Sequence, residues 1–328
     1  MKVTVYSAKK YDQQAFSRWS SSQLEFHYLD TKLSSDSVQL AAGSDAICTF
    51  VNDDLSAKVL QELSDSGIRM VALRCAGFNN VDLEAAKALG IRVARVPAYS
   101  PEAVAEHTIG MMLTLNRKLH KAYNRVRDDN FALDGLLGFN MHGKTVGLIG
   151  TGRIGKATAR ILLGFGCSLL CHDLYPDDEL QQLGARYVNL AELYAESDII
   201  SLHCPLTPET HYLINPDSLG QMKNNVMLIN TSRGGLLDSK AVINALKSRK
   251  IGYLGLDVYE QEADLFFENL SEMVIDDDVF KRLLTFPNVL ITGHQAFFTE
   301  EAMQQISQVT SDNLVAFAAG KASGNELC

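Results

Sequence analysis

No apolar run in this sequence approaches the ~20 residues that a membrane span requires, which excludes a transmembrane helix. The opening MKVTVYSAKKYDQQAF holds an apolar run of only about four residues before it turns lysine-rich. That is unlike a signal peptide and reads as a first strand of a soluble, cytoplasmic protein. Lysine and arginine form no cluster, and the net charge is -9 with a pI near 5.4. Binding a polyanion means neutralising phosphates with clustered cations, so a nucleic-acid partner is not expected. The six cysteines (Cys48, Cys75, Cys167, Cys171, Cys204, Cys328) form no C-x-x-C pair, and no HExxH accompanies them. A metal site is therefore not expected, and reduced, mostly buried thiols are. Low-complexity tracts are absent too, and 46 % apolar with 21 % charged residues is the balance of a folded protein.

What is present alternates. Before residue 100 the apolar runs Val3 to Tyr6, Ala46 to Val51 and Met70 to Leu73 are separated by polar amphipathic stretches such as Ser56 to Ser64, the pattern of an α/β layer structure. Ser100, Pro101 and Glu102 then supply a cap, a first-turn proline and a dipole-matched carboxylate, predicting a helix of roughly 25 residues. Met111, Met112, Leu115 and Leu119 form a stripe on it that suits either a core or a subunit contact; we favour the contact. From Lys144 the alternation becomes regular, with strands expected at Thr145 to Ile149, Ser168 to His172, Ile199 to Leu202, Val226 to Asn230, Tyr253 to Asp257 and Val289 to Thr292. This predicts a doubly wound parallel sheet. One further helix follows near Thr299, with Ile306, Val309, Leu314 and Phe317 as its apolar face.

A chain that begins one domain, builds a second and ends on a surplus helix returns to the first. The expected fold is α/β: a Rossmann-type sheet over residues 99–297 inserted into a flavodoxin-like domain made of 1–98 and 298–328. The insertion explains why VGLIGTGRIGKATARIL begins only at Val146. In that motif Gly150 permits the tight turn, Gly152 lets backbone approach a pyrophosphate, and Gly155 lets helix and strand pack closely. Asp173 ends the next strand, 18 residues after Gly155. A carboxylate there accepts hydrogen bonds from ribose hydroxyls and repels a 2'-phosphate, and Leu174 and Tyr175 offer no compensating cation. The expected cofactor is NAD rather than NADP.

Ligands of such sheets bind beyond the carboxyl ends of the strands. There Arg233 follows Asn230 in TSRGG, Glu260 and Glu262 follow Asp257 in VYEQE, and His294 lies in GHQAFF. Each residue alone has an ordinary reading as a cap, a solvated charge or a structural imidazole. Together they suit reduction of a 2-oxo acid. Arginine offers a planar fork for the carboxylate, histidine delivers a proton to the carbonyl oxygen, and a carboxylate holds its ring and favours the imidazolium. Hydride comes from nicotinamide.

The motifs RCAGFNNVDL, VPAYSPEAVAEHT, LHCPLTPET, NTSRGG, LDVYEQEADLFFE and GHQAFF resemble those of the D-isomer-specific 2-hydroxyacid dehydrogenases along essentially the whole chain, and most closely its fermentative, lactate-forming members. The resemblance implies NADH-dependent interconversion of pyruvate and D-lactate, with Arg233 binding substrate, His294 as acid/base and Glu262 as its partner. It also implies that amides around Ala76 and Gly77 hold the substrate carboxylate, that Tyr99 adds a hydroxyl and that Phe50 stands by the substrate's small side chain. For the cofactor it implies Arg153, Ile154, Asp173, Cys204, Pro205, Thr210, Thr231, Ser232, Arg233 and Asp257, the last near the nicotinamide carboxamide. The long helix after Ser100 resembles the family's dimer contact, which implies a homodimer or a dimer of dimers. Two other readings stay open: an enzyme for another small 2-oxo acid such as glyoxylate or hydroxypyruvate, and a dinucleotide-sensing corepressor. The acidic stretch from Ala263 to Asn288, with Phe266, Phe267 and Phe280, carries no chemistry that the sequence alone assigns.

Overall fold

A computed structural model describes residues 1–262 and 265–328, so the acidic stretch just named begins on two residues, Ala263 and Asp264, that lie outside the described residues. In chain order the elements are β1 (Lys2–Val5), α1 (Lys10–Trp19), β2 (Glu25–Tyr28), β3 (Ala46–Thr49), α2 (Ala57–Asp65), β4 (Met70–Leu73), α3 (Leu83–Ala88) and β5 (Arg92–Ala94). Then come α4 (Pro101–Arg117), α5 (Leu119–Arg127), β6 (Thr145–Ile149), α6 (Arg153–Gly164), β7 (Ser168–His172), α7 (Asp178–Gln182), β8 (Arg186–Tyr187), α8 (Leu190–Glu196) and β9 (Ile199–Leu202). The chain closes with α9 (Pro216–Gln221), β10 (Val226–Asn230), α10 (Ser239–Lys247), β11 (Ile251–Leu256), α11 (Asp278–Leu284), β12 (Val289–Ile291) and α12 (Glu300–Ala318). These form two compact units, residues 1–100 with 298–328, and residues 101–297.

The first unit is a five-stranded parallel sheet in the order β2-β1-β3-β4-β5, the flavodoxin-like arrangement. Inner strands β3 and β4 are buried at every residue because helices cover both faces, whereas edge strand β2 alternates between exposed and half-buried positions. One face packs Tyr6, Leu60, Leu63, Ile68 and Leu73; the other packs Val3, Val5 and Phe16 with Leu314 of α12. The last helix is thus part of this unit's core. Its buried face is more polar than the sequence predicts: Ile306 and Leu314 are buried alongside Ser307, Thr310, Ser311 and Asn313, while Val309 and Phe317 remain half-buried.

The second unit has a seven-stranded parallel sheet in the order β12-β11-β10-β9-β6-β7-β8. From β6 the chain runs outward through β7 and β8, then returns to lay β9 to β12 on the other side. The switch point lies between β6 and β9, where open α/β sheets bind ligands.

The single long helix expected after Ser100 is two helices. Lys118 takes φ 53 and ψ 39, a left-handed conformation that an α-helix of L-residues cannot run through. The apolar stripe divides at the same place. Met111, Met112 and Leu115 are buried in this unit's own interior, which corrects the subunit-contact reading for them. Leu119, Tyr123, Val126, Phe131, Leu133 and Leu137 are exposed instead, Leu137 at 86 %.

Candidate active site

The glycine turn between β6 and α6 is closed by contact rather than by preference alone. Gly150 has φ +96, and a Cβ there would stand 2.5 Å from the Cys204 amide nitrogen. A Cβ on Gly155 would stand 2.1 Å from the Gly150 carbonyl oxygen. Gly152 differs. It caps α6 without a side-chain hydrogen bond, and a Cβ there would meet nothing within 4 Å. Bare backbone and the first amides of a 12-residue helix, beginning at Arg153 and Ile154, therefore face open space, a shape that accepts a pyrophosphate.

Beside this turn, Asp173 accepts hydrogen bonds from the Thr151 amide (2.6 Å) and hydroxyl (3.1 Å) and from the Tyr175 amide (3.0 Å). Burial works against its charge, but these donors prevail and hold the carboxyl below its ordinary range. Tyr187 on β8 steadies the arrangement by donating to the Thr151 hydroxyl at 2.9 Å. Around the switch point the Ser232 hydroxyl donates to the Cys204 carbonyl (2.7 Å), the Thr210 hydroxyl donates to the Pro205 carbonyl (2.7 Å), and Thr231 pairs with Thr108 of α4 (2.8 Å). Burial pushes the Cys204 thiol up to about 11, so it stays protonated and unreactive at neutral pH.

Next to Cys204, His203 packs behind the glycine turn with Nε2 2.9 Å from the Ser201 hydroxyl, and burial pulls its pKa down to about 4. The folded ring therefore stays neutral where an unfolded one, titrating near 6.5, takes up a proton. Stability is full above the unfolded value and is lost as pH falls toward about 4, at about 1.4 kcal/mol per pH unit. His203→Gln is expected to flatten this acid limb. Thermal melts between about pH 7 and about pH 4.5 read the slope, and parallel slopes for variant and parent would show that His203 is not its source.

Adjacent strands β10, β11 and β12 bring the remaining candidates to one edge. Asn230 builds the turn that carries Arg233, accepting from the Ser232 amide (3.0 Å) and donating to the Arg233 carbonyl (2.8 Å). A Cβ on Gly234 would lie 2.1 Å from the Tyr259 backbone, so this turn and the one after β11 fit only with glycine there. His294 Nδ1 and Glu262 Oε1 are 2.7 Å apart, and the other Glu262 oxygen accepts from the Tyr259 amide at 2.8 Å. Glu260, the competing carboxylate, is turned elsewhere, bonded to the Tyr212 and Ser239 hydroxyls.

Sequence reasoning left Phe267 without a role, missed His107 and named Asp257 without its partners. The Phe267 ring lies 5.6 Å from the His294 imidazole, while Phe266 and Phe280 go to the core. Asp257, fully buried, accepts from the Thr292 hydroxyl and from the amides of Gln295 and Ala296, both at 2.9 Å. His107 of α4 approaches the same carboxylate at 3.4 Å. In the first unit, Ala76, Gly77, Phe50 and Tyr99 all follow strand ends. The Phe50 ring lies against the buried Arg74 guanidinium at 4.9 Å, and Arg95 donates to the Ala76 carbonyl at 3.0 Å. Among the described residues, no cluster of His, Cys, Asp or Glu is arranged to hold a metal. No helix among them is long and apolar enough to cross a membrane.

A doubly wound sheet with a bare glycine turn, an ionised carboxylate beyond the next strand and a His–Glu pair at the same carboxyl edge defines a dinucleotide-dependent oxidoreductase. Residues 109–296 match the family described as D-isomer specific 2-hydroxyacid dehydrogenase, NAD binding domain. The D-lactate dehydrogenase of Escherichia coli (strain K12) is 57 % identical over 100 % of both chains. The apo structure of D-lactate dehydrogenase from Escherichia coli superposes with a TM-score of 0.92 at 54 % identity, covering 100 % of both chains. The NAD-complexed D-isomer specific 2-hydroxyacid dehydrogenase of Lactobacillus delbrueckii ssp. bulgaricus gives 0.81 at 30 % identity, with 100 % of each chain covered. The chain belongs to the D-isomer specific 2-hydroxyacid dehydrogenases, and its second unit carries their NAD-binding domain.

Proposed function

We propose that the chain is an NAD-dependent D-lactate dehydrogenase that reduces pyruvate to D-lactate and runs the reverse reaction, in the cytoplasm and in fermentation. The observation that carries the reading is the His294–Glu262 pair at 2.7 Å. With Nδ1 turned to Glu262, Nε2 is the ring nitrogen left to exchange a proton with substrate, since no hydrogen bond engages it among the described residues. Arg233 grips the 2-oxo acid carboxylate and draws charge from the carbonyl. His294 gives its proton to the carbonyl oxygen as that oxygen becomes the hydroxyl, and in the reverse direction takes it back. When NADH is bound, its nicotinamide supplies the hydride.

For the first unit we propose that the Ala76 and Gly77 amides and the Tyr99 hydroxyl contribute to carboxylate binding and that Phe50 borders the methyl group. For the cofactor we propose Gly150, Gly152, Arg153, Ile154 and Gly155 for the pyrophosphate and Asp173 for the ribose. Cys204, Pro205, Thr210, Thr231, Ser232 and Asp257 then line the rest of the dinucleotide. The exposed apolar residues from Leu119 to Leu137 support a homodimer through that face, because a surface of this kind is costly to leave in water. The buried free thiols of Cys48, Cys167, Cys171 and Cys204 suit a reducing compartment.

The test is NADH oxidation across a panel of 2-oxo acids. Pyruvate is expected to give the highest kcat/KM; a higher value for glyoxylate or hydroxypyruvate would move the assignment, and no turnover of any would remove it. In the same assay Arg233→Lys keeps the charge but loses the fork. It is expected to lower kcat/KM for pyruvate about 10- to 100-fold, with NADH binding little changed. Near-normal turnover would place Arg233 in the scaffold.

A further inference from the structure

The turn that carries His294 is held in a conformation its sequence does not favour. His294 itself has φ +55, a left-handed value at a residue that is not glycine. Such a conformation persists only where the surroundings fix it, and the fixing group here is Asp257. Its carbonyl accepts the His294 amide at 2.7 Å, and its carboxylate takes the Thr292 hydroxyl and the Gln295 and Ala296 amides. One residue thus binds both sides of the turn.

A further contact to this carboxylate comes from another element more than 100 residues away. His107 Nε2 lies 3.4 Å from Asp257 Oδ1 and 3.1 Å from the Thr292 hydroxyl. The Thr292 proton is committed to Asp257, so the hydroxyl can only accept from His107, and Nε2 must carry a hydrogen. The placement follows from two periodicities. His107, Met111 and Leu115 share one face of α4 at four-residue spacing, and Gly255 and Asp257 share one face of the chain leaving β11 at two-residue spacing. Met111 and Leu115 pack over Gly255, where a Cβ would stand 3.4 and 3.2 Å from them. One helical turn earlier, His107 is therefore set over Asp257.

We propose that His107 is a positioning residue for His294: its Nε2–H, shared between Asp257 and Thr292, locks the 292–296 turn so that the imidazole paired with Glu262 meets the substrate at the right angle. The inference rests on the reading of His294 as the acid/base. It accounts for an ionisable side chain on α4 that the reaction itself does not use, and it gives Asp257 a task besides any contact with the cofactor.

The test compares His107→Phe, which removes the donor and keeps a ring, with His107→Gln, whose amide nitrogen can stand about where Nε2 stands. Because misplacing a reacting group by about 1 Å costs about 100-fold, His107→Phe is expected to lower kcat for pyruvate reduction about 10- to 100-fold. KM for pyruvate and the NADH Kd, read by fluorescence, should stay within about threefold, and His107→Gln should recover most of the loss. Thr292→Val, which removes the bridging hydroxyl, should reproduce the kcat loss and add little to it in the double variant. Wild-type kcat in His107→Phe would overturn the proposal. So would a parallel fall of kcat, NADH affinity and melting temperature, or a Gln variant as poor as the Phe variant. Imidazole nitrogen NMR separates this failure from failure of the functional reading. The His294 Nδ1 resonance should shift in His107→Phe and return in His107→Gln whether or not pyruvate is the substrate, and an unmoved resonance would sink the proposal by itself.

Discussion

Replacing His294 with Asn is expected to lower kcat for pyruvate reduction by about 10²- to 10⁴-fold, the range that a positioned general acid contributes, while NADH still binds. Glu262→Gln is expected to cost about 10²-fold or more, because an amide in place of the carboxylate no longer dictates which ring nitrogen carries the proton. Glu260→Gln is the control. Its carboxylate is spent on the hydroxyls of Tyr212 and Ser239, so its removal should leave kcat within about threefold. Steady-state rates for the three variants, each checked for NADH binding by fluorescence, decide the matter. A Glu260 variant more impaired than the Glu262 variant would contradict the 2.7 Å pairing as the working arrangement. An active His294→Asn would take the proton transfer away from this ring altogether.

The exchange of Asp173 for Ser together with Leu174 for Arg is expected to move the ratio of kcat/KM for NADPH over NADH upward by about 10²- to 10³-fold. The magnitude follows from charge. A 2'-phosphate about 4 Å from an ionised carboxylate is opposed by about 4 kcal/mol at a partly screened surface, close to three powers of ten. Asp173 is held ionised by three donors and Leu174 is exposed, so the first change removes the repulsion and the second sets a cation where solvent now is. Cofactor titrations by fluorescence test binding apart from turnover. A parent protein that already binds NADPH as tightly as NADH would show that Asp173 does not face the ribose.

How much of this was readable before the structure depends on the range of the interaction concerned. The placement of the glycine turn, Asp173, Arg233, Glu262 and His294 was legible because each follows a strand end by at most six residues, and strand ends are announced by local apolar runs. The choice of Glu262 over Glu260 needed the structure for its geometry, since both carboxylates follow the same strand two residues apart and only Tyr212 and Ser239, brought in from elsewhere, claim one of them. Short edge elements were missed for a related reason: β2, β5 and β8 span four, three and two residues, too few to leave a periodic signal. The break at Lys118 has no local warning, because lysine is an ordinary helix former. His107 and Phe267 looked like an unremarked polar position and a loose aromatic; their partners in space are far off in sequence.

The return of the chain to its first unit through α12 also sets a timetable for synthesis. Leu314 completes an apolar layer begun by Val3 and Val5, so that layer cannot close on the ribosome until α12 has emerged. At about 5–20 residues per second, roughly 15 to 60 seconds separate the synthesis of Val3 from that of Leu314. The inserted NAD-binding unit is contiguous and can fold within that interval. The opening strands wait, half-covered, and are the part of the nascent chain with most need of a chaperone.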